Sequence, residues 1–175
     1  MCLGHVLLEE HTPHGLGNHA VIITEKNEAL EQSIKKLLES MRYVGFSNFD
    51  IKLDRRDGLY KVFEINTRQG RSNYYVTGAG ANVAECLVED WVFGREIPFR
   101  TDFEEHLWWV VPKSVAFRYI RPVEYREKMK LLISEGKVCN PLYYDADGGL
   151  KRSVLLLKNQ LGQHYKYKKY LGRQE

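Results

Sequence analysis

Hydrophobic residues change their period several times along the chain, and each change marks an element. Leu30, Ile34, Leu37, Leu38 and Met41 recur at helical spacing as one apolar stripe, which predicts an amphipathic helix over 27–43. Asn27 is its predicted N-cap, with Glu28 in the first turn and Gly45 just beyond the end. Upstream, 5–9 and 20–24 read as strands separated by the turn formers Thr12-Pro13-His14-Gly15-Leu16-Gly17-Asn18. Downstream, 49–53 alternates apolar with polar, as a half-buried strand requires. Asp54-Arg55-Arg56-Asp57-Gly58 is turn chemistry, and the β signal resumes over 59–65. A stretch punctuated by Gly70, Gly78 and Gly80 then leads to Asn82. Asn82 is the predicted N-cap of a helix to Phe93, with Glu85 as in a capping box, Gly94 as the stop, and Val83, Leu87 and Trp91 as the buried face.

The last third is less periodic. Residues 108–111 read as a buried strand, and Pro122 sits in the first turn of a helix that ends at Gly136. Tyr143-Tyr144 and 145–149 read as a strand and turn. A helix is predicted over 150–171, with a β reading of 154–157 left open. There is no internal repeat, low-complexity linker or clear domain boundary. The expected class is α+β, an antiparallel sheet backed by helices.

Composition narrows the class. With 43% hydrophobic residues in 175 and a net charge of +3, disorder is excluded as the dominant state, and one domain or part of a larger one is expected. The longest apolar runs, 107–111 and 154–157, fall far short of the roughly 18 residues of a membrane span. Met1 leads into Gly4, His5 and the acidic pair Glu9 and Glu10, so no signal peptide is expected. Cys2, Cys86 and Cys139 are an odd set without a close pair, as suits a reducing cytoplasm.

Charge is unevenly spread. The stretch 151–173 carries Lys151, Arg152, Lys158, Lys166, Lys168, Lys169 and Arg173 with no acid among them, interleaved with Tyr165, Tyr167 and Tyr170. Such a pattern suits a nucleic-acid backbone with stacked bases. A solvated basic helix is the commoner origin of the same pattern, so nucleic acid is disfavoured as a partner.

The chemistry concentrates in 45–72. With the turn centred near Asp57, Asp50 lies opposite Glu64, and the period of two puts Asn66 on the same face. Facing carboxylates repel unless a cation joins them. Two carboxylates and an amide oxygen are hard ligands of the kind Mg²⁺ prefers, with phosphate and water completing its shell. Arg68 and Arg71 follow closely, and guanidinium groups beside a metal hold the remaining charge of a phosphoryl group. A single acidic pair is more often two solvent-facing residues, and Glu-x-Asn-x-Arg alone is a weak signal; the combination carries the reading.

Glu64-Ile65-Asn66-Thr67-Arg68 after a hairpin bearing Asp50, followed by Arg71-Ser72 and a Gly-rich approach to a helix, resembles the C-terminal half of an ATP-grasp domain. The likeness is to the carbamoyl-phosphate-synthase-like and carboxylate–amine ligase branches, including D-aspartate ligases, and covers roughly 15–94. The resemblance implies that Glu64 and Asn66 hold Mg²⁺, with two ions possible, between the ATP phosphates, and that Asp50 matches the acidic or amide residue of the preceding strand. It places Arg68 and Arg71 as catalytic groups near the γ-phosphate or an acyl-phosphate intermediate, with Arg68 also on the nucleotide. The implied partners are ATP and a carboxylate and amine pair, and the implied arrangement is an ATP-grasp C-terminal subdomain over 1–100, incomplete at its N-terminus, with 101–175 packed on it. The family's upstream substrate domain, nucleotide lysines and adenine hinge have no counterpart before residue 15. The expectation is therefore a fragment that is inactive alone, or a non-catalytic remnant in an assembly or regulatory role.

Other signals weigh less. His5, His11, His14 and His19 lie near Cys2 but match no compact zinc pattern. Gly15-Leu16-Gly17-Asn18 lacks a strand–loop–helix context and reads as a tight turn, which the resemblance would set beside the acceptor substrate. Cys86, beside Val83 and Leu87, reads as a buried structural thiol. A half-domain leaves apolar surface uncovered, so self-association is expected.

Overall fold

The computed structural model describes residues 1–172. Strands β1 (Leu3–Glu9) and β2 (His19–Glu25) pair antiparallel from Leu3 opposite Glu25 to Glu9 opposite His19. Ala20, Val21, Ile22 and Ile23 are fully buried, because β2 lies inside the sheet and is covered on both faces. β2 pairs antiparallel with β5 (Leu107–Trp109), which pairs parallel with β6 (Val138–Cys139), giving the order β1-β2-β5-β6.

The sheet is therefore mixed, not antiparallel as the strand signals imply. The chain leaves β5, runs through α4 (Lys113–Tyr119) and α5 (Val123–Ser134), and re-enters β6 in the same direction, which is the crossover that a parallel pair requires. α4 escapes the sequence pattern because seven residues are too few to display a period. Its Val115 and Ala116 nevertheless join Val21, Ile23, Leu107, Ile120, Met129 and Leu132 in the core. Pro122 is the N-cap of α5, and Gly136, at φ +72°, follows its end.

α1 (Glu28–Ser40) has the predicted cap: Asn27 accepts a hydrogen bond from the Leu30 N–H at 3.1 Å. Its inner face holds Ile34 and a buried Glu31, whereas Leu37 and Met41 of the apolar stripe stay exposed. β3 (Asn48–Asp54) and β4 (Leu59–Asn66) form a separate two-stranded sheet. β3 is half-buried at Phe49 and Ile51, as its alternation implies, although Leu53 is exposed; β4 is open, with Leu59, Phe63 and Ile65 all exposed.

A short α2 (Tyr74–Gly78) packs on the sheet at Gly78, where a Cβ would stand 2.5 Å from Cys139 Sγ. In α3 (Val83–Trp91), Asn82 caps the N–H groups of Ala84 and Glu85. No residue of α3 is fully buried, and Trp91 is 73% exposed, because this helix meets little besides α2. The strand expected at 143–144 is absent; a 3₁₀ turn, Asp145–Asp147, leads into α6 (Leu150–Tyr170), which is helical through 154–157. Arg173, the last basic residue of the 151–173 stretch, lies outside the described residues. Among the described residues no helix is long and apolar enough to cross a membrane.

One ionic cluster ties three elements together. Glu25 on β2 accepts from His5 Nδ1 on β1 at 3.1 Å and from Lys128 Nζ on α5 at 3.4 Å. The His5 hydrogen bond, aided by Lys128, holds the Glu25 carboxyl below its ordinary value of 4.5 against the opposing effect of burial. A depressed carboxylate stabilises the fold fully above its unfolded value and loses that contribution as pH falls through the folded value. The urea unfolding midpoint is therefore expected to drop as pH is taken below about 4.5, and the drop should be shallower in Glu25→Gln. Equal slopes in parent and variant would refute this role.

Candidate functional site

The hairpin sets the site's geometry. Asp50 faces Glu64 and Asn48 faces Asn66 across the β3–β4 ladder. One residue further on the register shifts, Ile51 pairing with Val62, so the bulge falls next to the acidic pair. At the far end Gly58, at φ +71°, closes the turn. There Asp54 is gripped by Arg56 Nη2 at 2.6 Å and Lys61 Nζ at 2.7 Å, which keep its carboxyl well below the usual range. This end of the hairpin is neutralised by its own cations. Asp50 and Glu64 at the base form no ion pair among the described residues, and Asp50 is reached only by the Asn48 side-chain amide, at 3.4 Å.

That base opens onto a cleft of about 650 Å³. Asn48, Asp50, Glu64 and Asn66 form one wall, and the loop after β4 brings Arg68, Arg71 and Ser72 to the same space. Arg68 donates to the Gln69 carbonyl at 3.1 Å. Arg71 donates to Asn18 Oδ1, and Asn18 Nδ2 donates in turn to Glu10 at 3.2 Å. His19 Nδ1 and Ser72 Oγ lie 2.8 Å apart. The arginine loop is thus stitched to the β1–β2 loop. Gly70 permits its close approach, since a Cβ there would meet Asn73 Oδ1 at 2.7 Å and Asn48 Oδ1 at 3.2 Å.

α6 supplies the opposite wall through Leu156, Gln160, Gln163 and Lys166. Tyr167 fixes it, buried against Tyr119 and donating to the Glu9 carbonyl at 2.9 Å. Gln160 donates to the Val110 carbonyl at 3.0 Å. Trp108, almost fully buried, lines the cleft with an indole N–H that finds no acceptor among the described residues.

All five residues singled out from the sequence, Asp50, Glu64, Asn66, Arg68 and Arg71, border this one cleft. Sequence reasoning missed Glu10, Asn48, Trp108, Gln160, Gln163 and Lys166. His19 and Asn18 belonged to signals set aside, a scattered histidine group and a tight turn. Lys166 lay within the basic stretch, but nothing in its spacing separated it from Lys151, Lys158, Lys168 and Lys169, which line no part of the cleft.

Among the described residues no three His, Cys, Asp or Glu side chains are grouped to hold a metal ion. A cation here would depend on Asp50 and Glu64 together with amide oxygens. Burial pushes the Cys2 thiol up to about 12 and the Cys139 thiol up to about 11, which disfavours a thiolate at both. All three are free thiols, and Cys86 is partly rather than fully buried.

Comparison with known proteins adds one relationship. Over 181 residues, and across the whole of its length, the chain is 41% identical to D-aspartate ligase of Enterococcus faecium (strain Aus0004). The match covers 43% of that protein, so the chain spans less than half the length of the relative. No protein-family model matches the chain, and no solved structure does. The likeness relates the chain to a ligase.

Proposed function

We propose that the chain forms the Mg²⁺–ATP phosphate-binding half of an ATP-dependent carboxylate–amine ligase with an ATP-grasp fold. The observation that carries this is the convergence of Asp50, Glu64 and Asn66 with Arg68 and Arg71 on one cleft. Relatedness to a D-aspartate ligase supports it. In this reading residues 1–100 are the C-terminal subdomain of the fold and 101–175 are an extension sharing its sheet.

The donor set fits Mg²⁺. Two carboxylates without an ion-pair partner among the described residues, plus amide oxygens, face an open cleft with room for phosphate and water. Asp50, Glu64 and Asn66 would hold the ion. Bound there, Mg²⁺ would neutralise phosphate charge and polarise the phosphoryl group toward attack. Arg68 and Arg71 hold the charge that builds on the transferred phosphoryl group, and Asn18 and Glu10 fix the direction of Arg71.

In the complete enzyme, a substrate carboxylate oxygen attacks the γ-phosphorus and ADP leaves. The amine nitrogen then attacks the acyl carbon, phosphate departs with the C–O bond electrons, and the nitrogen loses a proton. The relative's name makes D-aspartate the first substrate to test, as either the carboxylate or the amine partner. Because the chain spans 43% of that relative, the proposal for the chain itself is confined to the phosphate half.

Calorimetric titration with ATP tests it. Binding is expected with Mg²⁺ present and should vanish when the metal is chelated. No binding under either condition would favour a non-catalytic assembly or regulatory module. Steeply salt-dependent RNA or DNA binding, lost when the α6 lysines are neutralised, would favour a nucleic-acid role instead.

A further inference from the structure

α6 has one face turned to the body of the protein and a second, apolar face that nothing among the described residues covers. Leu156, Gln160, Gln163 and Tyr167 turn toward the body of the protein. Leu150, Val154, Leu157 and Leu161 recur four, three and four residues apart on a different face. They are 84%, 58%, 61% and 62% exposed, with Tyr165 beside them at 66%. A helix that needs only one covered face carries polar residues on the rest. Alternating steps of three and four are instead the spacing that keeps a seam facing a second helix.

We propose that this seam is a self-association surface, pairing α6 of two copies of the chain side by side and parallel. The residue types fit that partner. Leu150 and Leu157 occupy the positions where parallel two-stranded seams favour leucine, and the intervening Val154 is β-branched, as such seams favour at the alternate position. The charges select the direction. Lys151 and Lys158 flank one side of the seam, while Ser153 and Gln160 flank the other. A parallel pair sets lysine of one copy against the uncharged flank of its partner, whereas an antiparallel pair sets lysine against lysine. With Tyr165 and the lysine stems, the exposed seam amounts to on the order of 600 Å² per copy, so a pair reaches the ~1,200 Å² at which specific interfaces begin. An interface of that size gives a weak, concentration-dependent dimer rather than an obligate one. The proposal is independent of the ATP reading.

Sedimentation velocity on the full chain across the micromolar range tests it. The parent should shift from monomer toward dimer as concentration rises. Leu157→Lys should weaken association by about tenfold or more, equivalent to at least ~1.4 kcal/mol. Its thermal melt should be unchanged because Leu157 is already exposed. Leu155→Lys is the control: Leu155 is 57% exposed but lies off the seam, so association should persist. Leu157→Cys should yield an oxidised dimer beyond the parent's background, since a parallel pair places this residue against itself. A parent that stays monomeric, equal loss in both lysine variants, or no added cross-link at Leu157→Cys would overturn the proposal. So would a monomer that sediments with phosphatidylglycerol vesicles and loses this in Leu157→Lys, which would give the seam to a membrane surface.

Discussion

Glu64→Gln is expected to weaken Mg²⁺-dependent ATP binding by about a hundredfold, close to 3 kcal/mol, while leaving the fold unchanged or slightly more stable. Both halves follow from the ladder. Glu64 stands opposite Asp50, is exposed, and makes no ion pair among the described residues. Its charge contributes repulsion rather than cohesion until a cation arrives, and like charges directly opposite each other destabilise a strand pair. The glutamine keeps the shape and one oxygen but removes a formal charge from a site built on two. Calorimetry with and without Mg²⁺ reads the first effect, and a urea melt reads the second. Undiminished ATP binding would remove Glu64 from the site. A variant that unfolds would show that the carboxylate is structural. Asn66→Ala should weaken binding less, because it removes a neutral donor.

Tyr167→Ala carries the largest expected cost in stability, about 3–5 kcal/mol, comparable to other large-to-small aromatic truncations in cores. The ring is buried against Tyr119, and its hydroxyl satisfies the Glu9 carbonyl at the end of β1. Tyr167→Phe removes only the hydrogen bond and should cost about 1 kcal/mol. The functional consequence is specific. Tyr167 neighbours Lys166 and holds α6 in place as a cleft wall, so the alanine variant should also lose ligand affinity at temperatures where it is still folded. The measurement is a thermal melt of each variant with and without Mg²⁺–ATP. Ligand-induced stabilisation preserved in Tyr167→Ala would mean that α6 contributes nothing to binding.

The hairpin shows what was legible. Its turn residues and alternation place the hairpin and its two acidic positions, but the register at the turn, Asp54 opposite Leu59, would by itself set Asp50 opposite Phe63; the one-residue bulge beside Ile51, which no sequence signal announces, brings Glu64 opposite Asp50. The openness of β4 was not legible. Alternation states that a strand has an apolar face, not that anything covers it. The same limit applies to Trp91, which completes an apolar stripe on α3 yet stays in solvent. The parallel strand β6 has two residues, too few for any period, and its direction is fixed by the crossover through α4 and α5 rather than by its own sequence. Within the cleft, Lys166 and Gln163 lie about a hundred residues from the acidic pair, and no local pattern announces a partner at that distance.

The hairpin's separation from the main sheet bears on the timescale of the site. A lone two-stranded ribbon is marginal in water, and β3–β4 shares no ladder with the four strands that hold the core. Its amides should therefore exchange with solvent deuterium through local opening, at a free energy well below that of global unfolding. The residues proposed to hold the metal ion are thus expected to sit on the least protected part of the β structure. A ligand bridging Asp50 and Glu64 would work against that opening, so slowed exchange at the base of the hairpin would report occupancy residue by residue.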